Sequence, residues 1–102
     1  MRLVVMFDLP VVTDEEKRIY SKFRKFLLKD GYIMVQFSIY SRICKNSDDV
    51  YKHINRIKQN LPSRGNIRLL QVTEKQYNDM QLLVGEKEME ELFSVENMIV
   101  FE

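Results

Sequence analysis

Thirteen consecutive residues, Tyr32 to Cys44, contain neither glycine nor proline and are dominated by β-branched and aromatic side chains. Such a stretch is extended in character, with alternation clearest over Phe37, Ile39 and the polar Ser38 and Ser41. It is too long for one ordinary strand. A bend or bulge at Gln36-Phe37-Ser38 is therefore expected, because no Gly or Pro is present to build a hairpin turn there.

What flanks this stretch defines the fold. Leu3 to Phe7 is apolar on both faces, so it reads as a buried strand, stopped by Asp8-Leu9-Pro10. Thr13 with Asp14, Glu15 and Glu16 is a helix start with a capping box, and that helix runs to Gly31 on a stripe of Ile19, Phe23, Phe26 and Leu27. Ser47 caps a second helix with the stripe Val50, Ile54, Ile57 and Leu61, ended by Pro62. After the turn Ser63-Arg64-Gly65-Asn66 come a strand over Ile67 to Val72, a helical turn over Glu74 to Met80 and a short strand over Gln81 to Gly85. Glu86 to Glu91 has the pattern of a helical turn, and Met98 to Phe101 that of a last strand. The order fits an α+β ferredoxin-like sandwich, an antiparallel sheet with two helices on one face. On so small a chain the other face stays open, and a homodimer through it is expected.

A chain of 102 residues supports one hydrophobic core. The expectation is one domain over 1–102, with residues 1–80 as its core and 81–102 as C-terminal strands and an acidic segment for dimer or partner contacts. The single Cys44 and single His53 make neither a disulfide nor a structural zinc site, and a reducing compartment is the default. His53, on a helix without a partner in sequence, reads as a surface residue. There is no apolar run of about 18 residues and no basic, cleavable leader, so a cytoplasmic location is expected.

Charge is divided along the chain. Residues 1–73 hold 14 Lys/Arg against 7 Asp/Glu, whereas 74–102 hold 2 against 8. The basic part suits a polyanion and the acidic part a basic partner or a self-contact. Between Lys17 and Lys29 the first helix carries Lys17, Arg18, Lys22, Arg24, Lys25 and Lys29 with no acid among them. Arg18, Lys22, Lys25 and Lys29 share one flank beside the apolar stripe. Extended by Arg42, Arg56, Lys58 and Arg64, this set would follow a phosphate backbone without reading its sequence. A solvated helix face is the competing reading.

Asp8, a carboxylate at the end of a buried strand, is the candidate catalytic residue and metal ligand. Magnesium takes hard oxygen ligands, and one Asp suffices only if a two-fold axis brings its copy near. A turn residue before Leu9-Pro10 is the alternative. Glycine-rich phosphate loops and RNA-recognition strands are absent, and Ser38 and Ser41 lack a base.

Val4-Val5-Met6-Phe7-Asp8-Leu9-Pro10, the basic first helix, and Gly31-Tyr32 followed by Met34-Val35-Gln36-Phe37-Ser38-Ile39-Tyr40 together resemble the Cas-two family of small CRISPR-associated adaptation proteins over essentially the whole chain. The short C-terminal strand and acidic tail are similar to forms that accompany single-effector systems. The resemblance implies a ferredoxin-like homodimer whose last strand reaches across to the partner, and a role in spacer acquisition. There the dimer binds duplex DNA and bridges dimers of the Cas-one integrase. Glu86, Glu88, Glu90 and Glu91, with Met98, Ile99, Val100 and Phe101, would then be the partner contacts. It also implies, as the alternative, a magnesium-dependent endoribonuclease or endonuclease in which Asp8 from both protomers holds the metal. Two departures are visible: Phe7 lacks the hydroxyl of the tyrosine often found beside the strand-end Asp, and Lys17-Arg18 replace an arginine pair, weakening bidentate phosphate geometry. The scaffold reading is favoured over the nuclease; a ferredoxin-like regulatory module unrelated to CRISPR is a third.

Overall fold

The computed structural model describes residues 1–86 of the chain. Its elements are β1 (Arg2–Asp8), α1 (Asp14–Lys29), β2 (Ile33–Gln36), β3 (Ile39–Ile43), α2 (Ser47–Lys58), β4 (Asn66–Val72) and α3 (Glu74–Asn78). The four strands form one antiparallel sheet in the order β2-β3-β1-β4, consistent with a ferredoxin-like fold.

Alternation along β1 sorts the sheet's faces. Leu3, Val5 and Phe7 are buried and belong to the core with Phe23 and Leu27 of α1, Tyr40 of β3, and Val50 and Ile57 of α2. Phe7 is the hub: its ring stacks on Tyr40 at 5.7 Å and meets Phe23 edge-on at 5.2 Å. The residues between, Arg2, Val4, Met6 and Asp8, point to the face without the two long helices. The register places Ile39, Ser41 and Ile43 on one side of them and Asn66, Arg68, Leu70 and Val72 on the other.

Thr13 caps α1 through the predicted box: its side chain accepts from Glu16 N–H while Glu16 accepts from Thr13 N–H at 2.9 Å. The cap holds the Glu16 carboxyl below its ordinary range, chiefly through that backbone donor. Gly31 follows at φ +92°, the left-handed conformation that stops a helix.

Several sequence expectations are corrected here. A hairpin does join β2 to β3, with no glycine: Ser38 takes the left-handed value at φ +64°, and its carbonyl is fixed by Phe7 N–H at 3.0 Å. The bulge is present too, between Met34 and Gln36. Asn46, not Ser47, caps α2; its amide oxygen accepts from Asp49 N–H at 2.8 Å. That helix stops at Lys58, leaving Leu61 in the following loop and exposed.

His53 is buried rather than on the surface. It sits between Val50 and Ile57 on the apolar stripe, its Nδ1 2.7 Å from Asp30 Oδ2 and its Nε2 3.2 Å from Asp49 Oδ1, off the line of a hydrogen bond.

No strand forms over residues 81–86. Leu82, Leu83 and Val84 in this segment are exposed. Glu88, Glu90, Glu91, Met98, Ile99, Val100 and Phe101, and the turn and strand expected around them, lie outside the described residues. Among the described residues no helix is long and apolar enough to cross a membrane.

Candidate functional site

Two surfaces gather the candidate residues. The first is the outward side of α1. Lys17, Arg18, Lys22, Arg24, Lys25 and Lys29 are all exposed, and none makes an ion pair with a described residue. Asp14 and Glu15 are exposed in the first turn of the same helix, while three other carboxylates near it are committed elsewhere. Asp30 binds His53 and Arg56, Asp49 lies against His53 and Lys52, and Glu16 serves the cap and lies 3.7 Å from Arg64. Lys22, Lys25 and Lys29 line a groove of about 530 Å³ between α1 and the loop after α2, floored by Ile19, Phe26, Leu61 and Pro62. Three ammonium groups stand over an apolar floor with no carboxylate in the groove's lining, an arrangement with the charge to suit a polyanion.

The other expected basic residues are placed differently. Arg42 faces the helix side of the sheet, its guanidinium against Gly31 and its Nε buried without a partner. Arg56 is engaged by Asp30 Oδ1 at 2.7 Å. Lys58 is exposed at the end of α2, and Arg64 is exposed in the following loop. Arg2 is buried outright: Glu74 grips it with two bonds of 3.0 and 2.9 Å, and the Tyr77 ring lies 3.9 Å beneath its guanidinium.

The second surface surrounds Asp8. Its carboxylate is exposed at the end of a central strand, and two backbone contacts fix its position. Phe7 N–H is tied to the β2–β3 turn, and Gly65 is pressed so close that a Cβ there would fall 2.6 Å from the Asp8 carbonyl oxygen. Beside it lies a hollow of about 300 Å³ that also includes Met6, Phe37, Ser38, Asn66 and Arg68. Asn66 stands directly opposite Asp8 in the ladder, and Arg68 opposite Met6.

A divalent cation would meet one carboxylate and a carboxamide from this chain. Among the described residues no group of three or more His, Cys, Asp or Glu is placed to hold a metal. One chain thus offers only part of a magnesium ligand set, and the remaining oxygens would come from another copy, from water or from substrate. Phe37 and Arg68 were not singled out from sequence, because what brings them to Asp8 is register and a tight turn. Only the extended pattern around Phe37 hinted at the latter.

Fold and surfaces define a small ferredoxin-like α+β domain with a cation-rich first helix and an exposed carboxylate ending its central strand. Residues 1–80 match the model of the family described as CRISPR associated protein Cas2, and the chain belongs to that family. It is similar to the CRISPR-associated endoribonuclease Cas2 of Acidovorax ebreus (strain TPSY), with 55% identity over 83% of this chain and 83% of that one. It is also similar to the protein of that name in Ligilactobacillus salivarius (strain UCC118), with 48% identity over 98% and 99% of the two chains. A third, in Streptococcus mutans serotype c (strain ATCC 700610 / UA159), is 51% identical over 86% and 81%.

Proposed function

We propose that this protein is a dimeric scaffold of CRISPR adaptation that holds duplex DNA on its first helices and joins the Cas-one integrase during spacer integration. The observation that carries the reading is the face of α1: six exposed cations with no ion pair among the described residues. At 1.5 Å per residue the helix is about 24 Å long, some two-thirds of a duplex turn. It can therefore follow several phosphates without contacting base edges, and the energy of doing so is largely counterion release. Dimerisation is supported by the face opposite the helices, where Leu70 is 51% exposed beside Val4 and Met6, and by the apolar run Leu82 to Val84. The acidic residues from Glu86 onward would engage a basic surface of the integrase.

The test is duplex binding by Lys22→Glu with Lys25→Glu. The paired reversal is expected to weaken binding at least tenfold and to leave the fold intact, since both side chains are exposed. Unchanged affinity would refute the scaffold.

A second reading is favoured by Asp8. Exposed, rigidly held and next to Asn66, it would bind magnesium with the Asp8 of a partner protomer. The protein would then be an endonuclease, as the names of its relatives state for those proteins. Magnesium bound there would polarise water and screen the phosphate. Asp8 would hold the cation, while the Phe7 and Gly65 backbone contacts would hold Asp8. RNA or DNA cleavage that requires magnesium and falls at least 100-fold in Asp8→Ala is the expected signature; cleavage unchanged by Asp8→Ala would exclude it.

A further inference from the structure

The groove between α1 and the loop after α2 is lined by two kinds of surface that ask for different things. Lys22, Lys25 and Lys29 stand along it, exposed and without an ion pair to any described residue. Its floor includes Ile19, Phe26 and Leu61. Leu61 continues the apolar stripe of α2 in sequence, but the helix stops at Lys58 and the side chain is left 52% exposed. A phosphate backbone matches the cations and leaves that floor in water. The occupant that satisfies both is a chain segment carrying carboxylates and large apolar side chains together.

The chain has such a segment outside the described residues. From Glu86 to Glu102 there are six glutamates against one lysine, and Met89, Leu92 and Phe93 recur among them at i, i+3 and i+4. On a helical turn that spacing puts three apolar groups on one side, flanked by carboxylates. Reach is not limiting: the sixteen residues beyond Glu86 can extend about 50 Å, against 47 Å for the longest extent of the molecule. We infer that residues 86–102 dock in this groove, their glutamates on Lys22, Lys25 and Lys29 and their apolar side chains on Ile19, Phe26 and Leu61. The same lysines are those assigned to duplex DNA, so on that reading the segment and the duplex exclude each other. Drawn onto a basic partner, the glutamates would uncover the lysines.

The chain contains no tryptophan, so Phe93→Trp in the full-length protein places a single reporter on the segment. Its emission is expected to be blue-shifted and shielded from acrylamide. It should become solvent-like in Leu61→Asp and, separately, in Lys22→Glu with Lys25→Glu, all at exposed positions. Solvent-like emission at the outset would overturn the docking. So would a blue shift that survives in either groove variant, because the segment would then lie against another surface, such as a second copy. Duplex titrations read the competition. Met89→Ser with Leu92→Ser and Phe93→Ser leaves the charge unaltered and should tighten blunt-duplex binding about three- to tenfold. Unaltered affinity in that variant would overturn the docking, and tightening only in Glu88→Gln with Glu90→Gln and Glu91→Gln would reduce the segment to diffuse charge. Should no duplex bind at all, the α1 reading falls separately, and the fluorescence still decides the docking.

Discussion

Asp49 shows how one side chain serves several neighbours. Its Oδ2 accepts from Lys45 N–H at 3.0 Å while its Oδ1 faces Lys52 and the buried His53. The Lys45 backbone donor is the main reason its pKa falls from 3.8 to about 2, helped by Lys52 and His53. A carboxyl depressed in the folded chain contributes stability that is present above its ordinary value and is lost as pH falls through the folded one. The unfolding midpoint should therefore drop between pH 3.8 and about 2. Asp49→Asn should flatten that drop, as urea titrations across the window would measure; an unchanged slope would remove Asp49 from the account. Burial also raises the Cys44 thiol and, with Asp30, the Tyr32 hydroxyl, so both stay protonated at neutral pH. This network was hidden in sequence because a lone histidine has no partner until Asp30, 23 positions away, folds beside it. Its spacing of three from Val50 and four from Ile57 was the usable signal that it belongs inside.

At the scale of elements, α3 has only five residues and buries none of its own, yet it closes one end of the sheet's second face. Glu74 and Tyr77 cover Arg2, whose Nη1 also lies 3.5 Å from Ser41 Oγ. A buried guanidinium deprived of its carboxylate is costly, so Glu74→Ala should lower the unfolding free energy by about 2–4 kcal/mol, read from urea midpoints. A loss under about 0.5 kcal/mol would mean that Arg2 finds solvent instead. The elements themselves were legible: two amphipathic helices, a capping box and apolar strands each carry a period or a cap in the sequence. The hairpin was not, because Ser38 adopts a left-handed turn that glycine would ordinarily signal. The strand expected at 81–85 failed because an apolar run specifies burial without naming the partner that provides it.

On the scale of the whole molecule, charge and exposed apolar surface divide between two faces. The cations lie on α1, on the helix side; Leu70 and its neighbours lie on the other. A second copy on the open sheet would leave the α1 face of each protomer outward and open to a duplex. Leu70→Glu places a charge in that contact and should shift the protein toward monomer on a sizing column with light scattering. A native protein that is already monomeric at micromolar concentration would contradict the dimer. How the cations group was readable from helical spacing, but which ones are free was not, since Arg2, Arg42 and Arg56 are withdrawn by contacts that only the fold creates.

The scaffold reading rests on phosphate contacts by α1, and the salt dependence of duplex affinity measures them most directly. Titrating a blunt DNA duplex from about 50 to 200 mM salt should give a log–log slope of several units for the native protein. In Lys22→Glu with Lys25→Glu the slope should be shallower by about 2, near one unit for each lysine removed from the backbone. A native affinity insensitive to salt, or a slope unchanged by the paired reversal, would contradict the account.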